Sequence, residues 1–419
     1  MRAREYRPRL ADAELRQRLD AAGAVVIEGP KACGKTETAR QVAASEVLLD
    51  TDIRSREAAA LDPSLILAGD VPRLIDEWQV EPRIWNHVRR AVDERPDPGQ
   101  FILAGSAVPA DDETRHSGAG RFSRLRMRPM SSFEAGVSDG AISLRALLAG
   151  EHGRAGDSGM TIEALAEEIA RGGWPGLREA TLSAAMQGVA DYLEQICRTD
   201  VRSVDNVDRD PERLRRLLRS LARNVATSAA QTTLARDTAG AGAPLHEHTV
   251  GDYLRALGRL FVIEDQPAWE PHLRSRAVLR RSPKRHLVDP SLAVAALEAD
   301  PEALVCDLNL LGLLFESLVI RDLRIYSQVE GRRVRHYRDS KDLEVDAIVE
   351  GRGAWGAFEV KLGGERAIES AAESLLKFSR RIDTSKVGEP AVLGIVVSTG
   401  YGYLRKDGVQ VIPIGALGP

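Results

Sequence analysis

Short apolar runs alternate with amphipathic stretches along the first 150 residues of this 419-residue chain. Ala24 to Ile27, Leu74 to Ile75 and Phe101 to Ala104 have the length and composition of buried strands. Thr38 to Ala44, between the first two runs, has the pattern of a helix. Strands that alternate with helices predict an α/β fold, in which a mostly parallel sheet is covered by helices.

A stretch rich in Gly, Asp and Ser, Gly150 to Gly159, is predicted to be a linker. Up to about residue 300, three predicted helices then precede an apolar strand and a basic, Pro-containing return, which is the order of a winged-helix module. The helices are Pro211 to Ala226, Thr227 to Thr238 and Thr249 to Leu257, and the strand is Leu260 to Ile263. The third helix carries Asp252 and, as a cation, only Arg255. DNA binding and internal packing therefore both stay open for this module.

The last part of the chain alternates again between helix and strand. A helix is predicted over Leu308 to Leu323, and another over Ile368 to Ile382. Strand-like segments lie between them at Arg335 to Arg338, Leu343 to Val349 and Trp355 to Lys361. Because alternate residues of a strand share a face, Glu344 and Asp346 face one way, and so do Glu359 and Lys361.

An Asp followed by Glu-x-Lys on paired strands is the arrangement of metal-dependent nucleases of the PD-(D/E)XK type. In that arrangement Asp346 and Glu359 bind Mg²⁺, a hard cation that prefers oxygen ligands. Lys361 stabilises the attacking hydroxide, and Glu316 on the preceding helix completes the metal shell. The alternative is an inactive domain that keeps a buried Glu–Lys pair as a structural remnant.

The sequence Gly-Pro-Lys-Ala-Cys-Gly-Lys-Thr begins at residue 29 and fits the phosphate-loop pattern G-x-x-x-x-G-K-[ST]. The glycines let successive N–H groups point at phosphate oxygens. Lys35 reaches the β- and γ-phosphates, and the Thr36 hydroxyl is a ligand for Mg²⁺. The predicted nucleotide-binding residues are Gly29, Pro30, Lys31, Ala32, Cys33, Gly34, Lys35, Thr36 and Glu37.

Two adjacent carboxylates end the second apolar run. Asp76 is expected to hold the Mg²⁺ shell, and Glu77 to polarise the attacking water. Ser106, after the third run, either senses the γ-phosphate or forms a simple turn. Arg121 lies on a glycine-rich loop, where it serves either as an arginine finger for a neighbouring subunit or as a loop anchor. Its competitors in the same stretch are Arg115, Arg124, Arg126 and Arg128.

Composition narrows the class of protein. A hydrophobic content of 43% and a charged content of 29% indicate a globular chain, and no apolar run approaches the ~20 residues of a membrane helix. The basic N-terminus lacks the apolar core of a secretory signal, and three scattered cysteines indicate a reducing compartment, so a cytoplasmic protein without a membrane partner is expected. The net charge is −4, yet two basic clusters could meet a nucleic-acid backbone or form solvated faces. They are Arg213, Arg215, Arg216, Arg219 and Arg223, and Arg274, Arg276, Arg280, Arg281, Lys284 and Arg285.

At nearly its whole length the chain resembles bacterial and archaeal AAA-type P-loop ATPases that carry a C-terminal domain of unknown function. The resemblance implies ATP binding with Mg²⁺ and a nuclease-like C-terminal region. Assembly into homo-oligomeric rings is implied by the resemblance only. Trp78 departs from the aliphatic residue of many such proteins. The segments that carry the resemblance are 29–36, 74–79, 103–106, 126–131, 172–175, 282–289 and the pairs Glu344–Asp346 and Glu359–Lys361.

The predicted organisation is a P-loop ATPase domain at 1–150, a helical region with a winged-helix-like module at 151–300, and a nuclease-like domain at 301–419. The predicted function is Mg²⁺-dependent ATP hydrolysis coupled to the two later regions, with DNA as the candidate substrate or partner. The alternatives are an ATP-dependent binding switch for a protein or nucleic acid, with an inactive nuclease-like domain, and a small-molecule kinase.

Overall fold

A computed structural model describes residues 6–95, 97–107, 118–203, 207–239, 244–270, 282–339 and 343–419. Its internal contacts form two compact units, each assembled from separate stretches of the chain. The first unit comprises Met1–Pro129, Thr199–Asp208 and Arg255–Val262, and the second comprises Met130–Arg198, Arg209–Leu254 and Ile263–Pro419. Arg115, Arg274, Arg276, Arg280 and Arg281 of the predicted basic sets lie outside the described residues.

The first unit contains a five-stranded sheet of order β2-β3-β4-β1-β5, with every neighbouring pair parallel. The strands are β1 (Ala24–Glu28), β2 (Ser45–Leu48), β3 (Arg73–Asp76), β4 (Phe101–Gly105) and β5 (Phe122–Arg126). The helices around it are α1 (Leu10–Ala21), α2 (Lys35–Arg40), α3 (Ile53–Leu61) and α4 (Ile84–Glu94), with 3-10 turns at Pro63–Ile66 and Trp78–Val80. The predicted parallel α/β fold of this part is confirmed.

Both faces of this sheet are buried, which explains why its strands are continuous apolar runs rather than alternating ones. Val26, Ile75 and Leu103 pack on one face. Val25 and Ile27 pack with Cys33 on the other. Since the strands are parallel, their carboxyl ends meet at one edge, where the polar residues that follow each run come together.

The elements from residue 142 to residue 306 are mainly helical. In chain order they are β6 (Ile142–Ser143), α5 (Leu144–Leu148), α6 (Ile162–Arg171), the 3-10 turn Pro175–Leu177, α7 (Leu182–Gln195), the π-helical turn Ile196–Asp200, α8 (Val201–Ser203), α9 (Pro211–Arg223), α10 (Gln231–Asp237), α11 (Glu247–Arg259), β7 (Ile263–Gln266), β8 (Lys284–Leu287), α12 (Ser291–Leu297) and α13 (Pro301–Cys306). Three helices followed by the antiparallel β7–β8 pair are in the order that the sequence predicted. The winged-helix interpretation stays a prediction.

Arg213, Arg215 and Arg219 of α9 have acidic partners within the second unit. Arg215 lies 2.6 Å from Glu194, and Arg219 lies 3.5 Å from Glu298. These pairs favour the interpretation of this basic cluster as an intramolecular and solvated face. The leucines of the same helix, Leu214, Leu217, Leu218 and Leu221, are buried as the amphipathic pattern predicts.

The remaining elements form a six-stranded sheet of order β13-β14-β12-β11-β10-β9 and its flanking helices. They are α14 (Leu308–Gln328), β9 (Arg333–Arg338), β10 (Glu344–Gly351), β11 (Ala354–Lys361), α15 (Glu365–Arg381), α16 (Thr384–Val387), β12 (Val392–Val397), β13 (Tyr403–Leu404), β14 (Gln410–Pro413), the 3-10 turn Ile414–Ala416 and β15 (Leu417–Gly418). Strands β9, β10 and β11 are antiparallel, whereas β12 is parallel to β11. Strand β15 pairs with β6. No helix in the described part of the chain is long and apolar enough to cross a membrane.

The predicted linker is packed against the C-terminal sheet. Ala155 and Gly402 exchange two backbone hydrogen bonds of 3.1 and 3.0 Å. Gly153 accepts a hydrogen bond of 2.8 Å from the Gln410 side chain. The stretch from Gly150 to Gly159 is therefore an ordered part of the second unit. The predicted domain limits at 150 and 300 stay predictions, since the contact-based units divide the chain differently.

A buried ionic network ties α14 to two loops of the second unit. Arg321 donates to Asp289 at 2.7 Å and to Asp322 at 2.9 and 2.8 Å. Asp289 also accepts the backbone N–H of Gly173, and Asp322 that of Ser132, each at 3.0 Å. Since the three charged side chains are at most 5% exposed, each depends on the others for compensation.

We expect Arg321→Met to lower the free energy of unfolding of the second unit by about 3–5 kcal/mol, because two buried carboxylates lose their cation. Urea denaturation followed by far-UV circular dichroism measures the change. Lys386→Ala is the control, since Lys386 pairs with Asp383 on the exposed surface and its loss should change little. Equal stability of the two variants would contradict the importance assigned to the network.

Candidate functional site

The phosphate loop connects the end of β1 to the start of α2, as the motif predicts. Gly34 has φ 103° and begins the turn into the helix, a conformation that glycine adopts without strain. A Cβ atom at Gly29 would lie 2.4 Å from the carbonyl oxygen of Met127, so the loop passes too close to this backbone for a larger residue. Lys35 donates to the carbonyl oxygens of Gly29 and Pro30 at 3.1 and 2.8 Å. Its ammonium therefore lies over the loop.

Three other residues of the predicted nucleotide-binding set, Lys31, Cys33 and Glu37, each contact a different part of the first unit. Lys31 lies 2.6 Å from Asp200. Cys33 is fully buried against the sheet. Glu37 pairs with Arg40 at 2.6 Å on an exposed helix face. Glu37 thus faces solvent and the arginine rather than the loop.

Asp76, at the end of β3, is joined to the residue that ends the phosphate-loop motif. The Thr36 hydroxyl donates to Asp76 Oδ2 at 2.9 Å. Asp76 Oδ1 is buried and has no hydrogen-bond partner among the described residues. Burial raises the pKa of this carboxyl to about 6, the bond from Thr36 opposes the rise, and the charge of Glu77 adds to it. A buried carboxylate oxygen without a partner next to a hydroxyl fits Mg²⁺, which prefers oxygen ligands.

Glu77 has a left-handed backbone conformation with φ 53°, which turns its side chain out of the strand direction. Its carboxylate contacts Gln79 Nε2 in a short hydrogen bond. The Ser106 hydroxyl, just beyond β4, donates to Glu77 Oε2 at 3.3 Å, and it accepts from Gln79 Nε2 at 3.4 Å. The three side chains form a closed polar triangle at the carboxyl edge of the sheet.

Gln79 lies in the segment 74–79, and the sequence predicted no role for this residue. Its Oε1 atom is buried without a hydrogen-bond partner in the described part of the chain. The amide orientation follows from chemistry, because only the NH₂ group can donate to the Glu77 carboxylate. A Cβ atom at Gly105 would lie 2.6 Å from this Oε1, so a glycine at the end of β4 makes room for Gln79. Trp78 is buried in the core beside Trp85, with ring centroids 5.4 Å apart.

Arg121 is held by its own unit. Its Nε donates to Asp93 of α4 at 2.8 Å, and its Nη1 to the carbonyl of Ala119 at 3.2 Å. This arrangement matches the loop-anchor alternative within one chain, while the finger role in a neighbouring subunit stays a prediction. Arg124 pairs with Glu28, and Arg126 lies over the Phe261 ring at 3.9 Å.

The N-terminal segment braces the phosphate loop, which the sequence did not predict. Arg9 donates to the carbonyl oxygen of Cys33 at 2.7 Å and to that of Arg128 at 2.9 Å. Asp12 accepts the backbone N–H of Arg9 at 2.9 Å and the Tyr6 hydroxyl at 2.5 Å. The partners are 24 and 119 residues apart, so only a basic residue preceding the first helix could have hinted at the contact.

A second group of charged residues lies in the second unit, where the predicted nuclease residues come together. Lys361 lies 2.7 Å from Glu359 and 3.6 Å from Asp346. Asp346 Oδ2 also accepts the backbone N–H of Val360 at 2.9 Å. Glu316 of α14 belongs to the same group, because it contacts a second lysine that Asp346 also contacts.

That lysine is Lys284 of β8, which the sequence analysis had placed in a basic cluster. Its ammonium lies 2.7 Å from Glu316, 2.7 Å from Glu344 and 3.3 Å from Asp346. The residue is 3% exposed. Since β8 pairs with β7 and lies far from β10 in sequence, no local pattern could reveal this contact.

The pKa values of three carboxyl groups in this cluster are shifted. Burial raises the pKa of Glu316 to about 8, and the charge of Asp346 adds to the rise against the attraction of Lys284. Burial also raises the pKa of Glu359, with Asp346 adding and Lys361 opposing. Burial alone would raise the pKa of Asp346, but Lys284 and Lys361 together hold it below its ordinary value.

The cluster does not fit Mg²⁺ as it is arranged. Each oxygen of Asp346 faces an ammonium or an N–H group, and Glu316 and Glu359 each contact a lysine. Within the described ranges no group of three His, Cys, Asp or Glu side chains is arranged to hold a metal ion. The metal-ligand role predicted for Glu316, Asp346 and Glu359 therefore has no counterpart in this geometry.

Comparison with known proteins identifies the first unit most clearly. Residues 21–135 match a family described as AAA domain. Residues 162–303 and 311–417 match two domains of unknown function, DUF8612 and DUF4143. Together with the phosphate loop and the parallel sheet, the first match makes this part an ATPase-like AAA domain.

Two mycobacterial proteins are similar over nearly the whole of this chain. The uncharacterized protein Rv2008c of Mycobacterium tuberculosis is 27% identical over 96% of this chain and 82% of its own length. The uncharacterized protein Mb2031c of Mycobacterium bovis has the same values.

Solved structures are similar only at a distance. The Walker-type ATPase PABY2304 of Pyrococcus abyssi has a TM-score of 0.43 and 13% identity, over 70% of this chain and 96% of that one. A Drosophila ORC structure bound to DNA has a TM-score of 0.18 and 15% identity, over 69% and 85% of the two chains.

We expect Arg9→Met to destabilise the first unit, because the carbonyl groups of Cys33 and Arg128 lose a buried donor, at about 1–3 kcal/mol for an unsatisfied group. The loosened loop should also bind a fluorescent ATP analogue about tenfold more weakly, which corresponds to about 1.4 kcal/mol. Thermal denaturation and fluorescence titration measure the two effects. Arg40→Ala, which removes an exposed arginine of α2, should leave both nearly unchanged. An Arg9→Met protein that binds the analogue like the wild type would argue against the brace.

Proposed function

We propose that this protein binds ATP together with Mg²⁺ and hydrolyses it in its first unit. The observation that supports the proposal best is the meeting of two motifs at one sheet edge. The Thr36 hydroxyl donates to Asp76, and Glu77 follows as a second carboxylate. A phosphate loop alone would suit many nucleotide-binding proteins, whereas a hydrolase needs a metal ligand and a base beside it.

The residues of the loop divide the work of binding. The backbone N–H groups of the loop from Gly29 to Gly34, except Pro30, which has none, surround the phosphates. Lys35 leaves its two carbonyl partners to contact the β- and γ-phosphate oxygens. Thr36 and Asp76 would hold Mg²⁺ through their oxygens. The chemistry that bound Mg²⁺ supplies is neutralisation of charge on the β- and γ-phosphate oxygens.

Glu77 accepts the proton of the attacking water. It is the carboxylate next to the metal ligand, and Gln79 and Ser106 restrain its position. In this proposal Ser106 also senses the γ-phosphate, which is the first of the two roles that the sequence suggests for it. Arg121 would act only in a homo-oligomer, where it leaves Asp93 and contacts the nucleotide of the neighbouring copy.

Gln79 positions the Glu77 carboxylate in this mechanism. Its NH₂ group donates to Glu77 and Ser106, so its Oε1 is left to accept a hydrogen bond from the attacking water. One amide can thereby orient the base and the water together, which is the geometric requirement for proton transfer.

In our proposal, the nucleotide bound in the first unit determines how the later regions of the chain contact a partner. The winged-helix-like module and the nuclease-like sheet are the regions whose contacts with DNA or a protein partner would change with ATP. The interpretation as a binding switch with an inactive nuclease-like domain has a specific observation in its favour, because Lys284 lies where Glu316 and Asp346 would face a metal. A kinase for a small molecule is disfavoured by the carboxylate pair next to the loop.

We expect Glu77→Gln to reduce ATP turnover by at least about 100-fold while ATP still binds, since a base contributes about 10²–10⁴-fold. Lys35→Ala should lose both binding and turnover. Steady-state phosphate release with Mg²⁺, with and without DNA, measures turnover. Stimulation by DNA supports a nucleic-acid partner, and indifference to DNA supports a protein partner. Unchanged turnover in Lys35→Ala would refute hydrolysis at this loop.

We expect Gln79→Ala to lower the turnover number about 10- to 100-fold with little change in KM for ATP, because the base and water lose a common orienting group. Gln79→Glu should move the acidic limb of the turnover–pH profile to higher pH, since a second carboxylate raises the pKa of Glu77. A purely structural role for Gln79 would lower stability and turnover in both variants without moving the pH profile.

A further inference from the structure

Lys284 occupies the middle of the carboxylate cluster in the second unit. It comes from β8, whereas its partners come from α14 (Glu316) and β10 (Glu344 and Asp346). An ammonium group has three donors; here Glu316 and Asp346 accept hydrogen bonds from it, and Glu344 lies at ion-pair distance. Burying a charge at 3% exposure is tolerated only when partners of this kind compensate for lost hydration.

The backbone fixes Lys284 at this place. Its strand pairs with β7, where Gln266 is its partner in register. Gln266 is fully buried, and its NH₂ group donates to the carbonyl oxygen of Asp346 at 2.9 Å. The next residue, Arg285, exchanges backbone hydrogen bonds with Ala226 and Thr227 at 2.9 and 3.0 Å. The backbone of Lys284 is therefore held at this place, and its side chain is buried in the cluster.

Donors already face several oxygens of the cluster. Asp346 presents one oxygen to Lys284 and the other to Val360 N–H and Lys361. Glu316 contacts Lys284 and Glu359 contacts Lys361, each at 2.7 Å. A metal ion that bound between Glu316 and Asp346 would have to displace the Lys284 ammonium, which would then lose its partners.

We propose that the Lys284 ammonium is the permanent cation of this site and replaces the divalent metal ion of a nuclease centre. The cluster then joins β8, α14 and β10 by charge, and the nuclease-like sheet is a metal-independent structural or binding domain. This inference concerns the second unit alone. ATP turnover at Lys35 and Glu77 is not one of its readouts.

Removing the lysine should turn the cluster into a metal site, because Glu316 and the Asp346 oxygen that faces Lys284 would then lack their cation. In the nucleotide-free full chain, Lys284→Met should lower Tm in EDTA by roughly 10 °C. Excess MnCl₂ should restore a large part of this loss, and Mn²⁺ electron paramagnetic resonance should show one more bound ion than in the wild type. Adding Asp346→Asn should abolish both the restoration and the extra ion. Lys386→Met, at an exposed lysine, is the matched control and should show neither effect.

The wild-type protein gives the opposing arm of the test. Its Tm should be the same in EDTA and in MnCl₂, and plasmid DNA should stay intact with Mn²⁺ or Mg²⁺ in the presence or absence of ATP. Mn²⁺ binding or plasmid cleavage that Asp346→Asn abolishes would overturn the proposal. So would a Lys284→Met protein that is as stable as the wild type and indifferent to Mn²⁺. If Lys284→Met does not fold, the Mn²⁺ titration of wild type against Asp346→Asn decides the question by itself.

Discussion

The cost of burying a charge organises both units of this protein. An ionised side chain withdrawn from water needs an opposite charge, a set of hydrogen bonds or a ligand. Arg321 meets this need with Asp289 and Asp322, and Lys284 meets it with three carboxylates. Asp76 is compensated only in part. Thr36 donates a hydrogen bond to one of its carboxylate oxygens, and the other oxygen has no hydrogen-bond partner among the described residues. The compensated charges of Arg321 and Lys284 thus mark sites that stabilise the structure, whereas the oxygen of Asp76 that lacks a partner marks the site that fits a ligand.

Fold and chemistry diverge in the C-terminal region. A helix, three antiparallel strands, a helix and a parallel strand bring Glu316, Asp346, Glu359 and Lys361 together, as the sequence pattern predicted. The same arrangement of elements also admits Lys284 from outside this core. In our proposal, a single lysine on a neighbouring hairpin changes what these carboxylates can bind. A function for such a domain has to be argued from its charges and not from its topology.

The local parts of the structure were predictable, and the long-range parts were not. The phosphate loop, β3 and β4 follow from motifs and apolar runs within a few residues of one another. Strand β2 was missed because Ser45–Leu48 lies at the sheet edge and is only partly buried, so it lacks an apolar run. Arg9 and Lys284 were missed as site residues because their partners are up to 119 and 62 residues away. Gly150 to Gly159 was taken for a linker because its composition carries no sign of a partner strand.

The pairing of β6 with β15 constrains the order in which the protein can fold during its synthesis. Ser138 donates to the carbonyl oxygen of Leu417, 279 residues further along. During synthesis β6 is therefore made long before the strand that pairs with it. The first unit also depends on a later stretch of the chain, since it includes Arg255–Val262. Until these stretches are synthesised, each unit lacks part of its packing, and the surfaces exposed in this interval favour aggregation.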